Sequence, residues 1–193
     1  RLQLERTPKA LPTMRINPTN SLLLVVDIQS ALLPAIDGGE AVLGHTGWLI
    51  DVAETIAIPV LATEHCPQRI GVTDARLRDK FRPEAIVEKE NFSAVSEGAL
   101  LKAPDAERTQ WIVTGTEAHV CVQQTVLDLL AAGRQVFVVD EAVGSRRPRD
   151  KELALQRMQQ NGAEIVSREM VAFEWLEKAN TPLFRDVLKR FIR

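Results

Sequence analysis

Apolar residues fall along the chain in two alternating rhythms. Residues 22–26 (LLLVV) form an unbroken apolar run, which predicts a central parallel strand buried on both faces. Similar short runs at 58–62, 85–87, 111–113, 135–139 and 164–166 predict five more strands. Between them lie stretches with helical spacing: 40–55, 118–132, 148–161, 169–178 and 182–192. Gly44 and Gly47 weaken the first by up to about 1 kcal/mol each. Thr73 and Asp74 are placed to cap a short helix ending near residue 80, and Ser93 to cap another reaching Leu101. Pro148 suits a helical first turn, and Gly133 and Gly162 suit helix ends. Six strands alternating with helices predict the α/β class: three α-β-α layers around a mainly parallel six-stranded sheet.

This arrangement gathers polar residues at the carboxyl ends of the strands, where open α/β sheets bind ligands. Asp27 ends the first run, Lys89 follows the third, and Cys121 opens the helix after the fourth. On a wheel of 100° per residue, Val120, Val122, Val126, Leu127, Leu129 and Leu130 share one arc. Cys121 falls opposite, with Gln124, Thr125 and Asp128. A cysteine on the polar side of a helix start reads as a reactive thiol, and a small buried filler remains the alternative. Taken singly, Asp27 is a capping aspartate and Lys89 a solvated lysine. Together at one edge, the three point to a shared site.

Composition narrows the class without changing the fold. The chain has 193 residues, 45% hydrophobic and 26% charged, which suits one globular domain at 20–193 behind an N-terminal arm or leader at 1–19. Met14 is a plausible native start. A net charge of −2 argues against nucleic-acid or membrane partners. Two cysteines, Cys66 and Cys121, make no disulfide framework and fit a reducing cytoplasm. His65 and Cys66 are adjacent, too few for a metal site, so neither metal nor cofactor is expected.

An Asp, a Lys and a Cys suit acyl transfer. Lowering a thiol from about 8.5 to about 7 takes roughly 2 kcal/mol, more than the about 0.3 to 1 kcal/mol a helix start supplies. An ammonium about 4 Å away offers about 4 kcal/mol at an effective dielectric of about 20, so Lys89 is expected to do most of this. Asp27 is expected to take the thiol proton and pass it to a leaving amine.

Asp27 in LLLVVDIQ, Lys89 in VEKENFSA and Cys121 in VTGTEAHVCVQQTVLDLLAAGRQVFVVDEAVGSR resemble the isochorismatase-like cysteine hydrolases. The resemblance runs from about Asn20 to the C-terminus. It implies an Asp27–Lys89–Cys121 triad on a sheet of order 3-2-1-4-5-6. It also implies a cis peptide between Thr116 and Glu117, and an oxyanion hole from the N–H groups of Glu117 and Cys121. The loop Thr63-Glu64-His65-Cys66-Pro67 stands where nicotinamidases carry an Asp-x-His metal motif, and looks like the metal-free branch. Gln29, Glu64, His65 and Phe92 are the expected substrate-pocket residues. The expected activity is hydrolysis of a small-molecule amide or carbamoyl C–N bond in a homo-oligomer. The alternatives are an isochorismatase-type ether hydrolase, with Arg69 or Arg146 binding a carboxylate, and a non-catalytic oligomeric scaffold.

Overall fold

The computed structural model describes residues 15–193. Six strands form one sheet: β1 Ser21–Val26, β2 Val60–His65, β3 Ile86–Lys89, β4 Gln110–Thr116, β5 Gln135–Gly144 and β6 Glu164–Val166. Every pairing is parallel and the order is β3-β2-β1-β4-β5-β6, as expected.

Strand β1 is apolar throughout because both its faces are covered. Leu23 and Val25 pack into a core with Leu49, Ile50 and Ala53 of helix α1 (Gly39–Ile56) and Val171 and Trp175 of helix α6 (Arg168–Leu176). Leu22, Leu24 and Val26 face the other core, with Val126 and Leu129 of helix α4 (Gln123–Ala131) and Ala154 and Met158 of helix α5 (Pro148–Gln160). Short helices α2 (Pro67–Ile70) and α3 (Ala75–Arg78) follow β2, and α7 (Pro182–Val187) ends in a π turn, Leu188–Ile192. Asp74 caps α3 by accepting from the Arg76 amide.

The expected arm, residues 1–19, lies largely outside the described residues, but its last part belongs to the domain. Ile16 is buried at 2% exposure and its N–H donates to Glu174. The helix expected after Ser93 is absent. The Ser93 hydroxyl donates to Asp128 and accepts from the Val95 amide, while Glu97 accepts the amides of Glu90 and Asn91. These bonds hold the segment as turns, with one 3-10 turn at Leu100–Lys102.

Strand β2 starts and ends later than the apolar run suggests. Pro59 has no N–H for a ladder, and Thr63 and Glu64 extend the strand because their polar groups find partners inside it.

Candidate active site

Asp27, Lys89 and Cys121 come together at the carboxyl edge of the sheet. Asp27 leaves the buried end of β1 at φ 52°, a left-handed turn that costs a non-glycine residue about 1–2 kcal/mol. Three hydrogen bonds and an ion pair hold it there. Its N–H donates to Thr63 O, Thr63 Oγ1 donates to its Oδ1 at 2.7 Å, Thr116 Oγ1 donates to its carbonyl, and Lys89 Nζ stands 2.9 Å from its Oδ2. Lys89 and Asp27 are 1% and 0% exposed at their side chains, so their pairing is scarcely screened by solvent.

Gly115 makes the close approach possible. It sits in β4 beside Val26 at φ 141°, and a Cβ there would fall 2.2 Å from the Val26 carbonyl oxygen. No other residue type fits between β1 and β4 at the point where Asp27 emerges.

Cys121 lies in a π turn, Ala118–Val122, ahead of α4. This corrects the wheel. An i→i+5 turn winds less than 100° per residue, so Cys121 shares a buried face with Ala118, Val122, Thr125, Val126 and Leu129 and is 5% exposed. The resemblance also placed a cis bond between Thr116 and Glu117. All peptide bonds are trans among the described residues, and the chain turns through a left-handed Glu117 (φ 56°, ψ 63°). The Glu117 side chain accepts from the backbone N and Nε of Arg146. Arg146 is thereby engaged and is not a free carboxylate clamp.

The electrostatics reverse an expectation as well. The Cys121 thiol is pushed up to about 12, first by burial and then by the Asp27 charge, against which Lys89 pulls down less strongly. A helix start and one ammonium do not offset the removal of water from a sulfur between a carboxylate and an apolar core.

Of the four expected pocket residues, two reach the surface. Phe92 is 50% exposed, and the half-buried His65 ring stacks on it at 5.4 Å. Gln29 and Glu64 are 0% and 1% exposed and act from behind. Gln29 bonds both the N–H and the carbonyl of His65, and the Gly71 carbonyl. Glu64 accepts the Thr73 amide and hydroxyl and Arg78 Nη1. Their roles were hidden because Gly71, Thr73 and Arg78 approach only in the folded loop. Asp27, His65 and Cys121 place an oxygen, a nitrogen and a sulfur within 4.8 Å of one another. The Lys89 ammonium fills the space beside them, 2.9 Å from Asp27 Oδ2 and 3.1 Å from His65 Nδ1. The chain thus supplies its own positive charge there. A cleft of about 510 Å³ lies at the opposite, amino ends of β2 and β3, among Ile58, Pro59, Phe81 and Arg82.

Residues 21–170 match the family described as the isochorismatase domain. The chain is 32% identical over 178 residues to isochorismatase family protein 1A of Dictyostelium discoideum, covering 90% of this chain and 86% of that one. Among solved structures, MAR1 ribonuclease of Caenorhabditis elegans is 34% identical with a TM-score of 0.83, covering 93% of each chain. YcaC of Pseudomonas aeruginosa, described with hexane-2,5-diol and covalent acrylamide, is 25% identical with a TM-score of 0.85, covering 95% and 94%.

Proposed function

Because this chain belongs to the isochorismatase family, whose fold is that of a hydrolase scaffold, we propose that it hydrolyses a small amide or carbamoyl C–N bond through a Cys121 thioester. The observation that carries the reading is the buried Asp27–Lys89 pair standing beside a nucleophile-bearing π turn. Asp27 removes the thiol proton as sulfur attacks the carbonyl carbon. The N–H groups of Glu117 and Cys121 hold the oxyanion. Asp27 then gives the proton to the leaving amine, and water attacks the thioester with Asp27 again as base. Lys89 balances the negative charge that accumulates on sulfur. The raised thiol supports a base-assisted attack over a standing thiolate. His65 and Phe92 flank the substrate. A relative of the same fold is described with covalent acrylamide, so that protein carries a nucleophile.

The test is ammonia release from a panel of small primary amides and carbamoyl compounds, run in parallel with Cys121→Ala. Release that the variant abolishes supports the thioester; equal release by the variant removes it.

The C. elegans relative's name favours a second reading, cleavage of RNA. Against it stand a net charge of −2 and side chains at Asp27 and Lys89 too buried for a polyanion to reach. A labelled RNA incubated with the protein decides this, with Cys121→Ala as the control.

We further propose a homo-oligomer in the cytoplasm. Met170, Phe173 and Leu183 of α6 and α7 are exposed at 55%, 42% and 39%, an apolar group that self-association would cover. No helix of the described residues is long and apolar enough to cross a membrane.

A further inference from the structure

We propose that His65 is a positioning residue, which aims the Lys89 ammonium by accepting one of its N–H groups. The inference rests on the reading of Lys89 as the charge partner of Cys121. An ammonium has three N–H donors and no acceptor. Lys89 Nζ is ion-paired with Asp27 Oδ2 at 2.9 Å and hydrogen-bonds His65 Nδ1 at 3.1 Å and Asn91 O at 3.2 Å. Its side chain is 1% exposed, so it meets little water. With two N–H directions set by these bonds and the Asp27 charge alongside, Nζ is held beside both Asp27 and Cys121.

His65 can accept only while its Nδ1 carries a lone pair, which puts the ring proton on Nε2. The rest of the surroundings hold the ring in that pose. Gln29 bonds the His65 backbone on both sides, at 2.8 and 3.0 Å, and Phe92 stacks on the ring face. The charged groups that face the ring are Lys89, Asp27 and, farther off, Glu97, and the Cys121 sulfur lies within 4.8 Å. Burial, and then the Lys89 charge, hold the imidazole below its ordinary value. Protonating His65 removes an acceptor and puts a second cation 3.1 Å from the first. The Lys89 ammonium then loses its aim, and Cys121 loses the charge that favours its thiolate. Activity is therefore cut off in acid by a group that never touches the reacting carbon.

The probe is iodoacetamide, which needs no knowledge of the substrate. Alkylation of Cys121 is followed by peptide mass spectrometry, separately from Cys66, in the full chain and in Lys89→Ala, His65→Leu and His65→Asn. Asparagine places an oxygen acceptor near the Nδ1 position but does not titrate. His65→Leu is expected to slow Cys121 at pH 8 by at least about fivefold, as Lys89→Ala does. His65→Asn is expected to recover most of that rate. Below about pH 6.5 the slope of log rate against pH should steepen from about one towards two in the wild type and stay near one in His65→Asn. Should Lys89→Ala leave the rate unchanged, the charge-partner reading falls and this inference with it. If Lys89→Ala slows alkylation and His65→Leu does not, only the inference falls. It falls too if His65→Asn is as slow as His65→Leu. Should His65→Leu fail to fold, the slopes decide alone, and steepening that persists in His65→Asn overturns the proposal.

Discussion

Two charges of opposite sign stand beside the Cys121 sulfur and push its proton in opposite directions. Asp27 raises the thiol and Lys89 lowers it, with burial on the side of Asp27. Removing Asp27's charge therefore separates ionisation from catalysis. Asp27→Asn is expected to lower the thiol's pKa and raise the iodoacetamide rate at pH 8, while abolishing turnover for want of a base. A rate that falls instead would contradict the assigned balance. The same groups set a pH dependence of stability. The folded thiol keeps its proton to about pH 12, whereas an unfolded one loses it near about 8.5. This contribution is whole below about pH 8.5 and declines as pH rises through the interval. His65 runs the other way. Its lowered pKa makes a contribution present above about pH 6.5 and lost as pH falls. Urea midpoints against pH should show both trends, with the alkaline one absent in Cys121→Ala and the acid one in His65→Asn. At this scale the sequence placed Asp27, Lys89 and Cys121 at one edge correctly. The direction of the thiol's shift was not legible, because it depends on how much water the fold removes.

The elements explain which parts of the site could be read and which could not. Strand β1 and helix α1 were legible from apolar spacing alone, to within a residue at each end. The carboxyl ends of β2 and β5 were not. Thr63, Glu64, Asp140 and Glu141 look like loop, yet they lie within strands. For the buried pair, Thr63 and Glu64, the reason is visible: partners distant in sequence satisfy them. Hydrophobic patterning fails where a strand enters a functional edge, since the residues there serve chemistry or brace it. The π turn at Cys121 is invisible for a related reason, since it is one extra residue in an otherwise helical period. Two predictions belong here. Gly115→Ala drives a Cβ to 2.2 Å from a backbone oxygen, so β1 and β4 must separate at Asp27. It is expected to destabilise by about 2 kcal/mol or more and to slow turnover, measured by urea unfolding and ammonia release. Glu64→Ala frees the Thr73 amide and the loop that carries α2. Hydrogen exchange should then rise over residues 66–74 while β1 stays protected; unchanged exchange would show that Gln29 and the backbone bonds to Ile28, Ser30 and Lys89 suffice to hold the loop.

The whole molecule places the candidate site and an apolar flank on different elements. Asp27 follows β1, Lys89 ends β3 and Cys121 comes after β4, whereas Met170, Phe173 and Leu183 belong to α6 and α7. Residues 182–192 are fastened to α1 by Trp48, whose Nε1 donates to Phe191 O and whose ring meets Phe191 at 6.5 Å. Sedimentation velocity is expected to give a mass at least twice the 21.5 kDa of one chain. Phe173→Glu should shift it towards a single chain, and a wild-type monomer would remove the proposed self-association. The sheet order was legible because the residues carrying the resemblance lie on strands that such a sheet must order. The covering of the last two helices was not, since their apolar spacing serves a core and an interface equally. The claim on which the rest depends is that Cys121 becomes acylated. Stopped-flow reaction with a p-nitrophenyl ester, followed by intact-protein and peptide mass spectrometry, tests it without a known substrate. The expected result is a burst of one p-nitrophenolate per chain and one acyl group on Cys121, both absent in Cys121→Ala. A burst that survives in Cys121→Ala, or an acyl group found only on another residue, would contradict the thioester mechanism.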